Sequence, residues 1–432
     1  GGSHPSAIGD NFVVYVDDVE SPTKIVGYRN GDDWYNSVGT QISDPTLLSE
    51  AADGKIAPLL SNPEFAVKGF KTVDAFKDYE PQLSFMPRIA FSFPISDEAQ
   101  FFAHYDVLTQ RPSTNRIEPM DYLFMESQVG ALLNNPDLKP ETTIDYEIGF
   151  AKKLTISSAL KMSLFYKEMR DMVQVTNVLG AYPATYMMYQ NIDFGTSKGF
   201  SISYDLRRTG RIQMTSNYTI QFADGTGSSA SSGYSLVNTG QPNLRTTIPL
   251  SNDQRHAISS SVDYRYKRGD KYKGPVIGKW KILEDAGANI MLSAGSGTPY
   301  SRQSNVTQEA ASGINDRSTL DGSINGSRLP WQFRMNAKFN KNFEIKWSKT
   351  KSSSVNAYLQ IQNLFDARNI ISVYRATGNP EDDGYLTATE SQNDILARNN
   401  PESFIYLYSL AVNNPSHYSL PRMFRMGLTL TF

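Results

Sequence analysis

Segment after segment of this chain alternates apolar with polar residues, and a period of two is the mark of a β-strand whose faces meet different surroundings. In residues 142–152, Ile144, Tyr146, Ile148 and Phe150 are apolar, while Thr143, Asp145, Glu147 and Gly149 are polar or small. The pattern returns at Leu160, Met162, Leu164 and Tyr166 against Lys161 and Ser163, with Phe165 breaking the polar side. It recurs at Phe200, Ile202, Tyr204 and Leu206, at Ile258, Val262, Tyr264 and Tyr266, and at Phe333, Met335, Ala337 and Phe339. Val355, Ala357, Leu359 and Ile361 follow, and then Phe424, Met426, Leu428, Leu430 and Phe432. A soluble sandwich also alternates. Charges placed mid-strand on the polar side instead suit a barrel whose outer face meets lipid and whose inner face meets a watery lumen. Arg88, Asp145, Glu147, Asp205, Arg334 and Lys338 are therefore expected to face the lumen. Tyr264, Tyr266 and Trp331 are expected in interfacial aromatic girdles.

No apolar run approaches the ~18 to 20 residues of a membrane helix, so spanning by helices is excluded while spanning by strands is not. Hydrophobic residues make up 39% of the 432 and aromatics 12%, a poor match to a helix-rich core. The absence of cysteine rules out disulfides, cysteine zinc sites and thiol nucleophiles. A formal net charge of −2 provides no global field for nucleic acid. The first ten residues carry no basic segment followed by an apolar run, so they do not read as a secretory signal.

The alternation predicts strands near 83–94, 98–109, 141–152, 158–173, 191–206, 211–222, 255–267, 286–296, 329–343, 354–364 and 422–432. These are about eleven, each long enough for a tilted crossing of ~9 to 11 residues. Long connections (110–140, 223–254, 297–328, 365–421) tend to alternate with short ones, the polarity of outer-membrane barrels. Two connections fit less well: 268–285 is long for a turn, and 174–190 is short for a loop. Residues 1–82 read as an extracellular loop region, within which 11–16 (NFVVYV) could form one strand. In these Gly-, Ser-, Asn- and Asp-rich loops, Trp34, Tyr35, Tyr374 and Tyr385 are the candidate ligand contacts.

Catalytic patterns are missing. His4, His104, His256 and His417 show no metal-ligand spacing, and neither a GxSxG elbow nor a phosphate-binding glycine loop occurs. His256 is expected to hydrogen-bond at a strand rim, and the chain is not expected to be an enzyme. The pairs Asp17/Asp18, Asp32/Asp33 and Asp382/Asp383 could hold loop calcium, yet they lack EF-hand spacing and read as solvated loop acids.

Several ordered segments resemble the TonB-dependent outer-membrane receptors, above all the SusC-like and Oar-like type of Bacteroidota. They are FFAHYDVLTQRP (101–112), NPDLKPETTIDYEIGF (135–150), FYKEMRDMV (165–173), SGTPY (296–300), RLPWQFRMNAKFNK (328–341), IQNLFD (361–366) and PRMFRMGLTLTF (421–432). Asn336 departs from an Asp often found there. The resemblance implies an all-β transmembrane antiparallel barrel, of which residues 83–432 form the C-terminal half, about 11 of about 22 strands. It implies energy-coupled uptake of a glycan, peptide or chelate, and a C-terminal assembly signal in Phe424, Leu428, Leu430 and Phe432. The implied partners are an N-terminal barrel half with its plug domain, the TonB complex working through that plug, a SusD-like surface lipoprotein and outer-membrane lipid of a Gram-negative cell. The plug and TonB box are expected outside these residues. A soluble or surface β-rich adhesion or glycan-binding protein is the alternative reading.

Overall fold

The computed structural model describes residues 13–18, 21–30, 33–43, 48, 57–59, 81–112, 132–135, 137–178, 186–243, 245–308, 319–346 and 352–431. Alternation of the kind described above permits long pairing, and the main sheet is an antiparallel meander. Its strands are β1 (Arg88–Ser96), β2 (Ala99–Gln110), β3 (Glu141–Thr155), β4 (Ser158–Val178), β5 (Tyr186–Thr209), β6 (Ile212–Gly225), β7 (His256–Arg265), β8 (Ala286–Gly295), β9 (Gln332–Lys346), β10 (Ser352–Gln362) and β11 (Met423–Thr431). Each pairs with its neighbour in sequence, giving one uninterrupted path of eleven. Two short strands attach to its flank, Leu132–Leu133 beside β5 and Ile248–Pro249 beside β6. Among the described residues, β1 and β11 are not paired with each other and each leaves one edge open. No described helix is long and apolar enough to cross a membrane.

The two ends of the sheet differ as expected. At one end Asp97–Glu98, Ile156–Ser157 and Gly210–Arg211 are two-residue turns. Gly210 takes φ +64°, a conformation that glycine adopts without a Cβ penalty. The connections after β2, β6, β8 and β10 leave from the other end, where the chain also enters β1, whereas the long connection 266–285 between β7 and β8 leaves from the short-turn end. The largest departure lies at 174–190: β4 and β5 run on to 21 and 24 residues, past a bulge between Met169 and Val173. Asp171 at φ 56° absorbs that bulge, so pairing resumes and continues to Val178 and Tyr186.

The N-terminal residues differ from the single strand expected. Val13–Val16, Ile25–Asn30, Asp33–Asn36, Gln41–Ile42 and Ala57–Pro58 form a separate five-stranded sheet. Val13–Val16 is thus no twelfth strand of the main sheet; it pairs with Ile25–Asn30 and Ala57–Pro58. Tyr15, Val26, Trp34 and Leu48 give this small sheet its own core, with the Tyr15 and Trp34 rings 5.2 Å apart. Asp17 accepts from Thr23 Oγ1 and from the backbone N–H groups of Thr23 and Lys24, bonds that hold its carboxyl below the usual range.

The connection after β10 folds on two helices, α1 (Thr389–Leu396) and α2 (Pro401–Val412). The Asn400 side chain accepts from Ser403 N at 3.1 Å and Pro401 follows, a pairing of cap and first-turn residue that fixes where α2 starts. Tyr374, Tyr385, Ile395, Tyr408 and Val412 pack together beneath these helices.

Candidate functional site

Residues directly opposite across neighbouring strands share a face of the sheet. One row runs Arg88–Asp106–Asp145–Lys167–Ser197, another Ser259–Ser293–Arg334, and a third Gln213–Asp263–Asn289–Lys338–Gln360–Arg425. The opposite face carries Phe91–Ala103–Ile148–Leu164–Phe200–Ile220 and Leu206–Met214–Val262–Ile290–Ala337–Ile361–Phe424. All six charged residues expected in the lumen therefore share the polar face: Asp205 joins it through Thr215, whose hydroxyl donates to its carboxylate at 2.9 Å.

That face bears a cavity of 610 Å³ lined by Asp145, Glu147, Lys161, Lys167, Ser201, Asn217 and others, with Leu250 and Asn252 reaching in from the connection before β7. Lys167 pairs with Asp145 at 2.9 Å and Lys161 with Glu147 at 3.4 Å. All four side chains are partly exposed, so each pair contributes only about 0–1 kcal/mol. Their larger effect is to balance charge on this face. Asp145 Oδ1 is buried without a hydrogen-bond partner among the described residues.

Phe165, which broke the sequence pattern, lies over Gly199 on the adjacent strand. A Cβ on that glycine would meet its ring at 2.6 Å. Phe102 covers Gly149 in the same way, and Lys161 Nζ sits 4.5 Å from its ring centroid. The aromatic rings fill the gaps that missing side chains leave, which seats apolar residues on the polar face.

The long connections are tied down at their roots. Asp253, fully buried, accepts from Ala223 N and Arg255 Nε, each at 3.0 Å, and from Arg328 Nη2. One carboxylate thereby joins the connections before β7 and β9 beside the cavity. Asn363, at φ 52°, donates its N–H to Asn336 Oδ1 at 3.0 Å and its side-chain amide to Leu420 O at 3.1 Å. Asn336 thus anchors the turn after β10. His256 sits at the rim as expected, with Nδ1 2.9 Å from the Tyr218 hydroxyl and its ring stacked 5.5 Å from Trp331.

The loop aromatics have a different place. Tyr374, Tyr385 and Trp34 are 2%, 6% and 7% exposed, packed in the cores just described, so they shape loops and present little surface to a ligand; Tyr35 is half-buried. The loop acids are engaged in turns: Asp382 accepts from Gly384 N and Asp383 from Tyr385 N, at 2.8 and 3.0 Å. Asp33 accepts from Gln41, and no cluster of three or more metal-ligating side chains occurs among the described residues. Asp32 and Phe432 lie outside the described residues.

Lys161, Lys167, Asp253 and the two glycine-covering phenylalanines were not singled out from sequence as site residues. The parity of Lys161 and Lys167 with Glu147 and Asp145 was the available signal for the first two. Nothing local marks Asp253, whose partners are far away in the chain.

The family model described as TonB dependent receptor-like, beta-barrel, matches residues 62–364. The chain belongs to that family. Members of the TonB-dependent receptor family are Gram-negative outer-membrane proteins. Solved structures with similarity include the ferric-catecholate import receptor Fiu from Escherichia coli K12, at 16% identity and a TM-score of 0.40, covering 68% of this chain and 32% of that one. The pyoverdine outer membrane receptor FpvA from Pseudomonas aeruginosa PAO1 matches at 11% identity and a TM-score of 0.44, covering 80% and 36%. The copper transporter OprC matches at 9% and 0.39, covering 79% and 38%. The chain spans about a third of the length of these proteins. No curated protein sequence matches it.

Proposed function

We propose that these residues form the C-terminal half of the wall, with its extracellular loops, of a TonB-dependent transporter that takes up a glycan, peptide or chelate by energy coupling. The observation that carries this reading is a two-faced sheet of eleven strands with charged rows over a cavity and both edges open. An open edge in lipid leaves backbone groups unsatisfied at several kcal/mol each, so further strands must pair with β1 and β11. The polar rows, Arg88, Asp145, Glu147, Asp205, Arg334 and Lys338 included, then face a lumen occupied by a plug, and Asp145 Oδ1 accepts from that plug or from passing ligand. The long connections are extracellular, together with residues 1–82. The SusC-like or Oar-like type of Bacteroidota, a SusD-like lid and an assembly role for the terminal aromatic belong to the same proposal.

Two measurements on cells carrying the protein in its native outer membrane test it. Growth on glycans, peptides or iron chelates as the limiting nutrient is expected to fall for one class when the gene is deleted, and to need TonB. Equal growth on all three classes with and without the gene would remove the transport reading. Asp145→Asn with Lys167→Met is expected to leave the assembled level within about 1 kcal/mol of normal, because exposed pairs contribute little. The same pair of changes should lower uptake several-fold. Loss of assembly in that variant would mean that the pair is structural.

A further inference from the structure

The connection between β7 and β8 is far longer than its geometry requires. Arg265 and Gly287 are direct partners, so a two-residue turn would join the strands, as it does elsewhere at this end of the sheet. Instead residues 266–285 form an excursion carrying a small hairpin, Val276–Ile277 paired with Trp280–Lys281, whose turn is made by Gly278 at φ +61°. Its tip is apolar and open: Ile277 is 69% exposed and Trp280 80%, with Val276 and Ile282 beside them. Residues 266–285 hold six basic residues against three acidic ones, Asp270, Glu284 and Asp285.

The excursion folds onto the apolar face. The Tyr272 ring lies tilted 5.7 Å from that of Tyr266, which meets Tyr264 edge-on at 5.3 Å. Tyr264 belongs to the row Ile212–Tyr264–Ala288–Phe339–Leu359. Arg211 bridges the two elements, donating to Tyr264 Oη at 2.9 Å and to Lys273 O, while Lys341, also on the apolar face, donates to Ile282 O. The hairpin therefore continues the lipid-facing surface beyond the last strand residues.

We propose that this hairpin is an interfacial anchor that lies in the phospholipid leaflet at the short-turn end of the barrel. Ile277 and Trp280 enter the headgroup–acyl boundary, and Lys273, Lys279 and Lys281 meet phosphate groups. Aromatic and aliphatic side chains flanked by lysines partition to that depth, where lysine stems run along the apolar zone and the ammonium groups reach the headgroups. Anionic lipid strengthens such a contact. The continuity with the lipid-facing rows and the positive charge together favour lipid over a protein partner. The proposal rests on the barrel reading above.

The absence of cysteine makes the test clean. The full protein, purified from outer membranes, is labelled with bimane at Ile277→Cys, at Ile148→Cys in the middle of the apolar face, or at Asp97→Cys in a short turn. It is then reconstituted in phosphatidylcholine–phosphatidylglycerol vesicles carrying a lipid nitroxide. The label at 277 should be quenched by the nitroxide about as strongly as that at 148, with the label at 97 left open to aqueous iodide. Adding Lys273→Glu, Lys279→Glu and Lys281→Glu should lower quenching at 277 by roughly half. Quenching at 148 with iodide access at 277 would overturn the anchor while leaving the barrel standing. Shielding of 277 from both quenchers would mean that a second copy or another protein covers it, which also overturns the proposal. Loss of nitroxide quenching at 148 would instead remove the barrel reading.

Discussion

Gly297→Ala is expected to abolish most assembly of the protein. A Cβ at this position would lie 1.7 Å from Leu329 O and 2.2 Å from the Leu329 carbonyl carbon. The clash is with backbone, so no rotamer change relieves it. Both sides are also fixed: Ser296 N donates to His256 O at 2.9 Å, Leu329 N to Thr298 O at 3.0 Å, and Pro299 pairs with Arg328. The close approach joins two of the segments that marked the family, SGTPY and RLPWQ. Overpacking of this kind costs on the order of 3 kcal/mol, the upper part of its usual range. The fraction of heat-modifiable protein in outer membranes reads it directly, with Ser293→Ala on the polar face as the variant expected to assemble normally. Normal assembly of Gly297→Ala would show that the two connections do not approach as described.

The second large effect separates the faces of the sheet. Ile148 sits mid-strand in β3 between Ala103 and Leu164, half exposed on the apolar face. Ile148→Arg should lower barrel stability by about 2–4 kcal/mol, the cost of a cation near the lipid midplane. Ser201→Arg, on the polar face and lining the cavity, has water to meet and should change stability little. Urea titration of the protein refolded into lipid vesicles would measure both. Equal destabilisation by the two changes, or a reversed order, would mean that the faces have been assigned the wrong way round.

The strands were readable because a two-faced wall in lipid forces period two on every crossing, and Ile144 to Phe150 or Phe424 to Leu430 obey it. Phe165 breaks that pattern because it covers Gly199 on the partner strand, and a glycine so far away in sequence carries no local sign of the pairing. The extent of β4 and β5 was hidden because two irregularities between Met169 and Val173 interrupt the pairing before it resumes in the same register. Residues 13–58 were hidden for another reason: strands of two to six residues are too short for a period to register. Tyr374 and Tyr385 sit in a loop rich in Gly and Asp, which reads as surface. It is the packing of α1 and α2 over them that buries them, and that packing involves residues further along the connection. The charge pairs of the polar face fall between these cases. Their parity was visible, but which lysine meets which carboxylate depends on the β3–β4 register, which the turn at Ile156–Ser157 sets.

Strand counting by electron cryo-microscopy of the protein extracted from its own outer membrane tests the central claim most directly. The expected result is a closed barrel of about 22 strands around a plugged lumen, in which Arg88–Ser96 and Met423–Thr431 each pair with strands from outside residues 88–431. A barrel closed by pairing those two strands with each other, eleven in all, would contradict it.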